Sequence, residues 1–268
     1  MAKADTVILF SVDGMRPDGL QKAETPNTDA LVSGGVSTFS AQTVMPSVTL
    51  PCHSSMFRSV PPTRHGVVTN TFTPLARPVP SIMDVVRRAQ MKAAAFYNWE
   101  PLRDLASPGS LEHSLMMRNW AAPEGDQELA EAAGALIRRT AKNPYAFIFV
   151  YLGHTDVMGH AHGWMSEPYL DAISNADVCV GIVLEAARQA GTMERTAVIV
   201  TADHGGHGQT HGTDMPEDMT IPWVCFGAGV PSGKSIEAPV SIIDNAPTIA
   251  ALLGLEPGEH WEGSPVPF

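Results

Sequence analysis

Positive charge is what this chain has least of. It carries 17 Lys and Arg against 28 Asp and Glu, a formal net charge of -11. A nonspecific nucleic-acid binder needs basic stripes, so no nucleic-acid-binding surface is expected. An anionic small substrate is still allowed, because bound metal ions reverse the sign of the field locally. Cysteine is scarce as well. The three present, Cys52, Cys179 and Cys225, are odd in number and widely spaced. They form no disulfide framework and no CxxC metal motif, which fits a reducing compartment. Long apolar runs are missing too, and none approaches membrane-spanning length. The opening MAKADTVILFSVDG is interrupted by Asp13 too soon for a signal peptide. These absences predict a cytoplasmic protein with no membrane segment.

What is present is a hydrophobic fraction of 44% in 268 residues, enough for one large α/β core. Short β-branched runs alternate with helical periodicity. Thr6 to Val12 reads as a strand, and Thr25 to Ser33 as a helix capped by Thr25. Val36 to Val44 follows as a strand, then a turn at Pro46-Ser47-Val48-Thr49 and a helix from Leu50 to Arg58 ended by Pro61-Pro62. A Pro- and Thr-rich loop runs to about Pro80. Ser81 then caps a helix to Gln90, and Lys92 to Tyr97 is a strand. Leu111 to Met117 is a further candidate strand, with Met116, Met117 and Trp120 expected to pack inward. Apolar spacing predicts helices over Asp126–Lys142 and Ser166–Ala190, and again from Asp244 to Leu253, where Gly254 stops it. Tyr145–Leu152, Val198–Thr201 and Ile221–Phe226 read as buried strands. The alternation predicts a mainly parallel sheet with helices on both faces. No repeat, low-complexity tract or linker divides it, so residues 1–268 are expected to form one domain.

Three of these strands end in metal-ligand chemistry. The first ends at Asp13. The strand from Tyr145 runs into Gly153-His154-Thr155-Asp156, with His160 four residues on. The strand from Val198 opens into Asp203-His204-Gly205-Gly206, His207-Gly208 and His211-Gly212. A single histidine in such a turn would be merely solvated, and Asp13 alone could be a turn or cap residue. Sites in open α/β sheets form beyond the carboxyl ends of strands. Three Asp and three His at three such ends suit two divalent ions with oxygen and nitrogen ligands. A two-metal site clamps both oxygens of an in-line displacement at phosphorus and needs a nucleophile. Thr49, just before a predicted helix whose amides can bind phosphoryl oxygens, is the candidate. Taken alone it could also be an N-cap, and Ser47, Ser54 and Ser55 are neighbouring hydroxyls. His162 and His207 are left over as loop histidines or as groups that orient a ligand. Asn70, Trp99, Trp164 and Tyr169 could touch substrate, with core packing the default for the aromatics.

With these motifs in view the chain resembles the alkaline phosphatase superfamily, in its nucleotide pyrophosphatase/phosphodiesterase branch. The likeness rests on Val12-Asp13-Gly14, Pro46-Ser47-Val48-Thr49-Leu50-Pro51, Asp156-Val157-Met158-Gly159-His160, Thr201-Ala202-Asp203-His204-Gly205 and the later His211-Gly212. These occur in family order over nearly the whole length. The resemblance implies an alkaline-phosphatase-like three-layer α/β/α sandwich holding two divalent ions, zinc by family, with manganese or iron left open by ligand type. Asp156, His160 and His211 would hold one ion. Asp13, Asp203, His204 and the Thr49 oxygen would hold the other. Thr49 would attack a phosphodiester or pyrophosphate of a small phosphoester or nucleotide-like substrate, and water would release the phospho-enzyme.

Two departures from that pattern stand out. In the phosphodiesterase branch an Asn commonly follows Thr-x-Pro and binds a nonbridging oxygen. Here the residue is Cys52, a poor donor, which leaves His53 or a backbone amide to serve. The interval from Asp203-His204 to His211 is also short, which implies a compact site with little pocket for a nucleoside base. A phosphomonoesterase or phosphonate hydrolase with the same metals is the alternative reading. A non-catalytic metal-stabilised binding module is the alternative from another class.

Overall fold

A computed structural model describes residues 4–74 and 78–268. Residues 1–3 of the expected single domain and 75–77 of the Pro- and Thr-rich loop lie outside the described residues. Eight strands form one sheet: β1 Thr6–Val12, β2 Val36–Gln42, β3 Ala93–Tyr97, β4 His113–Met116, β5 Phe147–Leu152, β6 Thr196–Thr201, β7 Thr220–Gly227 and β8 Lys234–Ser235. Their order is β4-β3-β5-β1-β6-β7-β2-β8. The sheet is mainly parallel. The antiparallel pairs are those of β7, which runs against both β6 and β2. Every residue of β1, β5 and β6 is buried, as expected of central strands covered on both faces.

Among the described residues ten α-helices cover the sheet: α1 Pro17–Lys22, α2 Pro26–Gly34, α3 Thr49–Arg58, α4 Pro62–His65, α5 Ile82–Arg88, α6 Pro123–Arg139, α7 His154–His162, α8 Glu167–Gln189, α9 Pro216–Met219 and α10 Asn245–Leu253. In one layer α8 packs against α1, α2, α6 and α7. In the other, α3 packs against α4, α5 and α10. The architecture is the expected three-layer α/β/α sandwich. No helix among the described residues is long and apolar enough to cross a membrane.

Local expectations held in most places. Ser81 caps α5 through a reciprocal capping box with Asp84, and Gly254 ends α10 in the left-handed conformation. Four details differ. Thr25 sits at the N-cap of α2, but its side chain makes no cap bond. The helix α3 is stopped by Ser59 in the left-handed conformation, before Pro61-Pro62, and Pro62 opens α4 instead. Trp120, expected to pack inward, is 48% exposed, whereas Met116 and Met117 do pack on the core. The segment after β5, read only as ligands trailing from a strand, is the helix α7. Its polar residues and central Gly159 hide the helical pattern. What secures it is remote: Asp126 of α6 accepts the N–H groups of Gly153 and His154 at 3.1 Å, satisfying the helix N-terminus.

The central strand trio positions the site. Val12 pairs with Leu152, and Ser11 with Thr201, so β1, β5 and β6 stop at one level. Asp13, the start of α7 and the Asp203-His204 turn emerge there together.

Candidate metal centre

The helix α7 sets Asp156 and His160 at i and i+4, on one face. The turn after β6 brings Asp203 and His204 back under Asp13, and His211 returns from the following loop. His204 and His211 stack with ring centroids 3.8 Å apart and 13° between planes. Among the described residues, two groups have ligand atoms all within 4.8 Å of one another: Asp156, His160 and His211, and Asp13, Asp156 and His204. Asp156 is common to both. Asp203 stands beside the second group, its Oδ2 3.4 Å from His204 Nε2. Asp13 Oδ1 lies 3.3 Å from the same nitrogen.

The hydrogen bonds define which atoms face inward. His204 Nδ1 lies 2.8 Å from the Gly205 carbonyl, His211 Nδ1 2.9 Å from that of Ser47, and His160 Nδ1 3.0 Å from that of Gln209. A carbonyl oxygen only accepts, so each Nδ1 carries the proton and each Nε2 presents a lone pair to the cluster. Those lone pairs meet carboxylate oxygens. Asp13 Oδ1, Asp156 Oδ1 and Asp203 Oδ2 are buried and have no hydrogen-bond donor. Lone pairs facing one another in a buried space call for a cation between them. The residues present therefore fit a divalent ion bound through nitrogen and oxygen, with each imidazole oriented by a backbone carbonyl behind it.

Electrostatics agree. Burial raises the carboxyl pKa of all three aspartates. For Asp203 it is pushed up to about 8 by burial and then by the charge of Asp156. Asp13 is raised well above the usual carboxylate range by burial, with Asp203 and Asp156 adding to it. Asp156 is raised by burial. Tyr151 donates its hydroxyl to Asp13 Oδ2 and is held protonated by burial and these charges. Burial, then His204, lowers His211 to about 3.

Thr49 is the first residue of α3, with Val48 in the cap position. Its Oγ1 lies 3.3 Å from His204 Nε2. The neighbouring hydroxyls are turned elsewhere. Ser47 Oγ donates to the Thr213 carbonyl and Ser55 Oγ pairs with His65, while Ser54 is buried without a partner. The amides expected at the α3 N-terminus are largely engaged: Leu50 N–H donates to Asn70 Oδ1 at 3.0 Å and Cys52 N–H to the Val48 carbonyl, while Pro51 has none.

Cys52 and His53, expected at the substrate, both have 0% exposure and do not line the cleft. Because α3 is buried on every side, positions three and four residues after Thr49 point into the protein. Burial raises the Cys52 thiol pKa, and its sulfur accepts from Thr43 Oγ1. His53, lowered to about 3 by burial, donates Nδ1–H to the Thr49 carbonyl at 2.8 Å and pairs through Nε2 with Ser11. It supports the cluster from behind.

The cleft over the cluster holds about 120 Å³. Asp13, Thr49, Asp156, His160 and His211 line it, with Asn70, Trp99, Trp120, Tyr151, Gly153 and Val157 around them. No Lys or Arg is among these described lining residues. A larger hollow of about 890 Å³, between Arg58, Arg103 and His260, is lined by none of the candidate site residues. Trp164 and Tyr169 are packing residues, each bonded to the Gly14 carbonyl at 2.9 Å. His207 pairs with Asp218, and His162 is exposed. Asp126 and Asp218, buried carboxylates that anchor the ligand-bearing segments, carried no signal in the sequence, since each lies beside other acidic residues, Glu124 and Glu128 or Glu217.

Comparison with known proteins gives the family and the fold. Residues 7–214 match the family described as type I phosphodiesterase / nucleotide pyrophosphatase. Ectonucleotide pyrophosphatase/phosphodiesterase family member 3 of Mus musculus is 26% identical over 219 residues, covering 74% of this chain and 24% of its own length. The chain thus spans about a quarter of the length of that curated relative. In structure, human ectonucleotide pyrophosphatase / phosphodiesterase 5 superposes with a TM-score of 0.81 at 17% identity, covering 97% of each chain. A mutant of the alkaline phosphatase PafA superposes with a TM-score of 0.83 at 12% identity, covering 99% of each. The chain belongs to the type I phosphodiesterase / nucleotide pyrophosphatase family.

Proposed function

We propose that this chain, as a single domain, hydrolyses phosphodiester or pyrophosphate bonds of small phosphoesters or nucleotide-like substrates, with Thr49 as nucleophile. The observation that carries the reading is Thr49 Oγ1 at the head of a buried helix, 3.3 Å from His204 Nε2, among carboxylate oxygens that have no donor.

Two divalent ions, zinc by the family resemblance with manganese or iron left open by ligand type, would suit the donor set. Asp156, His160 and His211 would hold one, and Asp13, Asp203, His204 and Thr49 the other. Bound there, such ions lower the pKa of an adjacent hydroxyl and polarise a phosphoryl oxygen. The chain's own groups do the rest. Rigid α3 fixes the Thr49 oxygen for in-line attack at phosphorus, which forms the threonyl phosphate and expels the leaving alkoxide. Tyr151, held protonated, orients Asp13 through Oδ2 and leaves Oδ1 turned inward. Asn70 takes the part expected of the residue after Thr-x-Pro. Its Oδ1 faces the Leu50 amide, so its NH₂ group is directed from the cleft wall and can donate to a nonbridging oxygen. Water then attacks the threonyl phosphate and releases the product.

The cleft favours diesters over monoesters. A monoester dianion carries one more negative charge, and no Lys or Arg among the described lining residues meets it. Cys52, a poor donor where the family has Asn, favours the non-catalytic module, and Asn70 as an alternative donor on the cleft wall supports the catalytic reading instead. The test is Thr49→Ala assayed on an aryl phosphodiester with zinc, manganese or iron(II) restored after chelation. Turnover should fall to background while uptake of the ion assigned to Asp156, His160 and His211 is kept. Parental turnover in that variant would show the nucleophile to be another group.

A further inference from the structure

The loop between His204 and His211 is built to be loose. It contains Gly205, Gly206 and Gly208, with Gly212 just beyond it, and residues 208–210 are exposed. Yet it must hold two imidazoles stacked at 3.8 Å. One residue outside the cluster ties it at three points. Asp218, on α9, has 0% exposure. Its Oδ1 accepts from His207 Nδ1 at 2.7 Å. Its Oδ2 accepts from Thr213 N at 2.9 Å and Thr213 Oγ1 at 2.7 Å. Its backbone carbonyl accepts from Gly205 N at 2.8 Å, while that of Glu217 accepts from Gly206 N at 2.9 Å.

These contacts bracket the two ligands. Gly205 directly follows His204, and Thr213 lies two residues beyond His211. His207 sits between them, and its backbone closes a reciprocal pair with Thr210 at 2.9 Å in both directions. The approach is close enough that a Cβ on Gly205 would lie 2.0 Å from the Glu217 carbonyl oxygen. A buried carboxylate is costly unless its oxygens are fully engaged, and here every partner belongs to the ligand loop. None of Asp218, His207 or Thr213 is within the two groups of candidate ligand atoms.

We propose that Asp218 is a positioning residue which, through His207 and Thr213, sets the spacing of His204 and His211 and thereby the affinity of the site for divalent metal. This rests on the reading of the cluster as a metal centre. Because the loop supplies a ligand to each ion in that reading, loosening it weakens both. Removing Asp126, which holds the start of α7 and Asn98 but touches no part of the ligand loop, loosens Asp156 and His160 while leaving the stacked imidazoles in place.

The test strips the full-length protein of metal and titrates zinc chloride against a chromophoric chelator. Asp218→Ala should weaken zinc uptake about 10- to 100-fold, the scale of losing a group that orients ligands. Asp218→Asn, which keeps an acceptor for Thr213, should recover part of that loss. Thr213→Val, which removes one bond and keeps the backbone donor, should cost about two- to tenfold. Cobalt(II) at saturation separates positioning from general stability: the visible absorption band should change shape in Asp218→Ala if ligand geometry has changed. Parental zinc affinity and an unchanged cobalt spectrum in folded Asp218→Ala overturn the proposal. Should that variant not fold, parental affinity in both Thr213→Val and His207→Gln overturns it. If the unsubstituted protein takes up no zinc, the metal-centre reading itself is wrong and this proposal falls with it.

Discussion

Asn70 offers the sharpest test, because one side chain is asked to do two separable things. Its Oδ1 accepts the N–H of fully buried Leu50 at the first turn of α3, and it lines the cleft with Thr49, where its NH₂ group is proposed to serve the substrate. Asn70→Ala removes both functions. Leaving the Leu50 amide without its partner costs about 1–3 kcal/mol. Asn70 is itself exposed, so water can reach the amide and the lower end applies. At roughly 2–4 °C per kcal/mol for a chain of this size, the melting temperature should fall by only a few degrees. Losing a preorganised donor to a developing phosphoryl charge costs far more in rate, about 10²- to 10³-fold in kcat. Asn70→Asp separates the two effects. It restores an acceptor for Leu50, so the melting temperature should return towards that of the parent. It also sets a negative charge near the phosphoryl group, worth about 1–4 kcal/mol of repulsion at roughly 4 Å. Its rate should therefore be no better than that of the alanine variant. The assay is kcat and kcat/KM on an aryl phosphodiester, with melting followed by calorimetry. Near-parental turnover in Asn70→Asp would refute the assigned orientation of the amide. So would a rate loss under about threefold in Asn70→Ala, since that lies well below what such a donor supplies.

Three further outcomes follow from the same geometry. Stripped of metal, the protein should lose stability as pH rises from about 4 through about 8, because the folded-state pKa of Asp203, about 8, lies above its unfolded value of 3.8, so across that window only the folded state still holds the proton. Asp13 and Asp156 shift in the same direction, metal loading should flatten the slope, and a metal-free melting temperature that rises across this window contradicts the charge argument. Gly206→Ala should cost about 1–3 kcal/mol by overpacking, since its Cβ would lie 2.1 Å from the Trp164 ring; an unchanged melting temperature would mean that the ring yields freely. Trp120→Arg, placing a cation on the cleft wall, should raise the monoester-to-diester rate ratio about tenfold, equivalent to ~1.4 kcal/mol, and an unchanged ratio on matched esters would remove the charge argument for diester preference.

Legibility in the sequence followed the range of the forces involved. The strands β1, β5 and β6 could be read because strands buried on both faces need unbroken apolar runs. The long helix α8 could be read from its apolar period, and α5 from its cap. The helix α7 could not, because what holds it lies outside it. Asp126 caps its N-terminus from α6, and Trp164 closes on Gly159 so tightly that a Cβ there would lie 2.7 Å from the ring. Trp120 was misread as core because a large aromatic is usually buried, and here it stands on the wall of the cleft. Cys52 and His53 were misjudged for a related reason. Proximity to Thr49 along the chain suggested proximity to substrate, but successive positions on a helix buried all round face different neighbours.

By itself the sequence determined which donors stand at the ends of β1, β5 and β6, and that the strands carrying them would belong to a mainly parallel sheet. These depend on residue type and local period, which are one-dimensional. Only the tertiary structure decided what those donors do together. It made Asp156 common to both groups of ligand atoms. It turned each Nε2 inward by setting carbonyls of Ser47, Gly205 and Gln209 behind the rings. It also brought Asn70 to Thr49 from 20 residues beyond Leu50. Tautomer, pairing and reach are set by which distant backbone groups fill the space behind a side chain, and no local pattern in the chain encodes that.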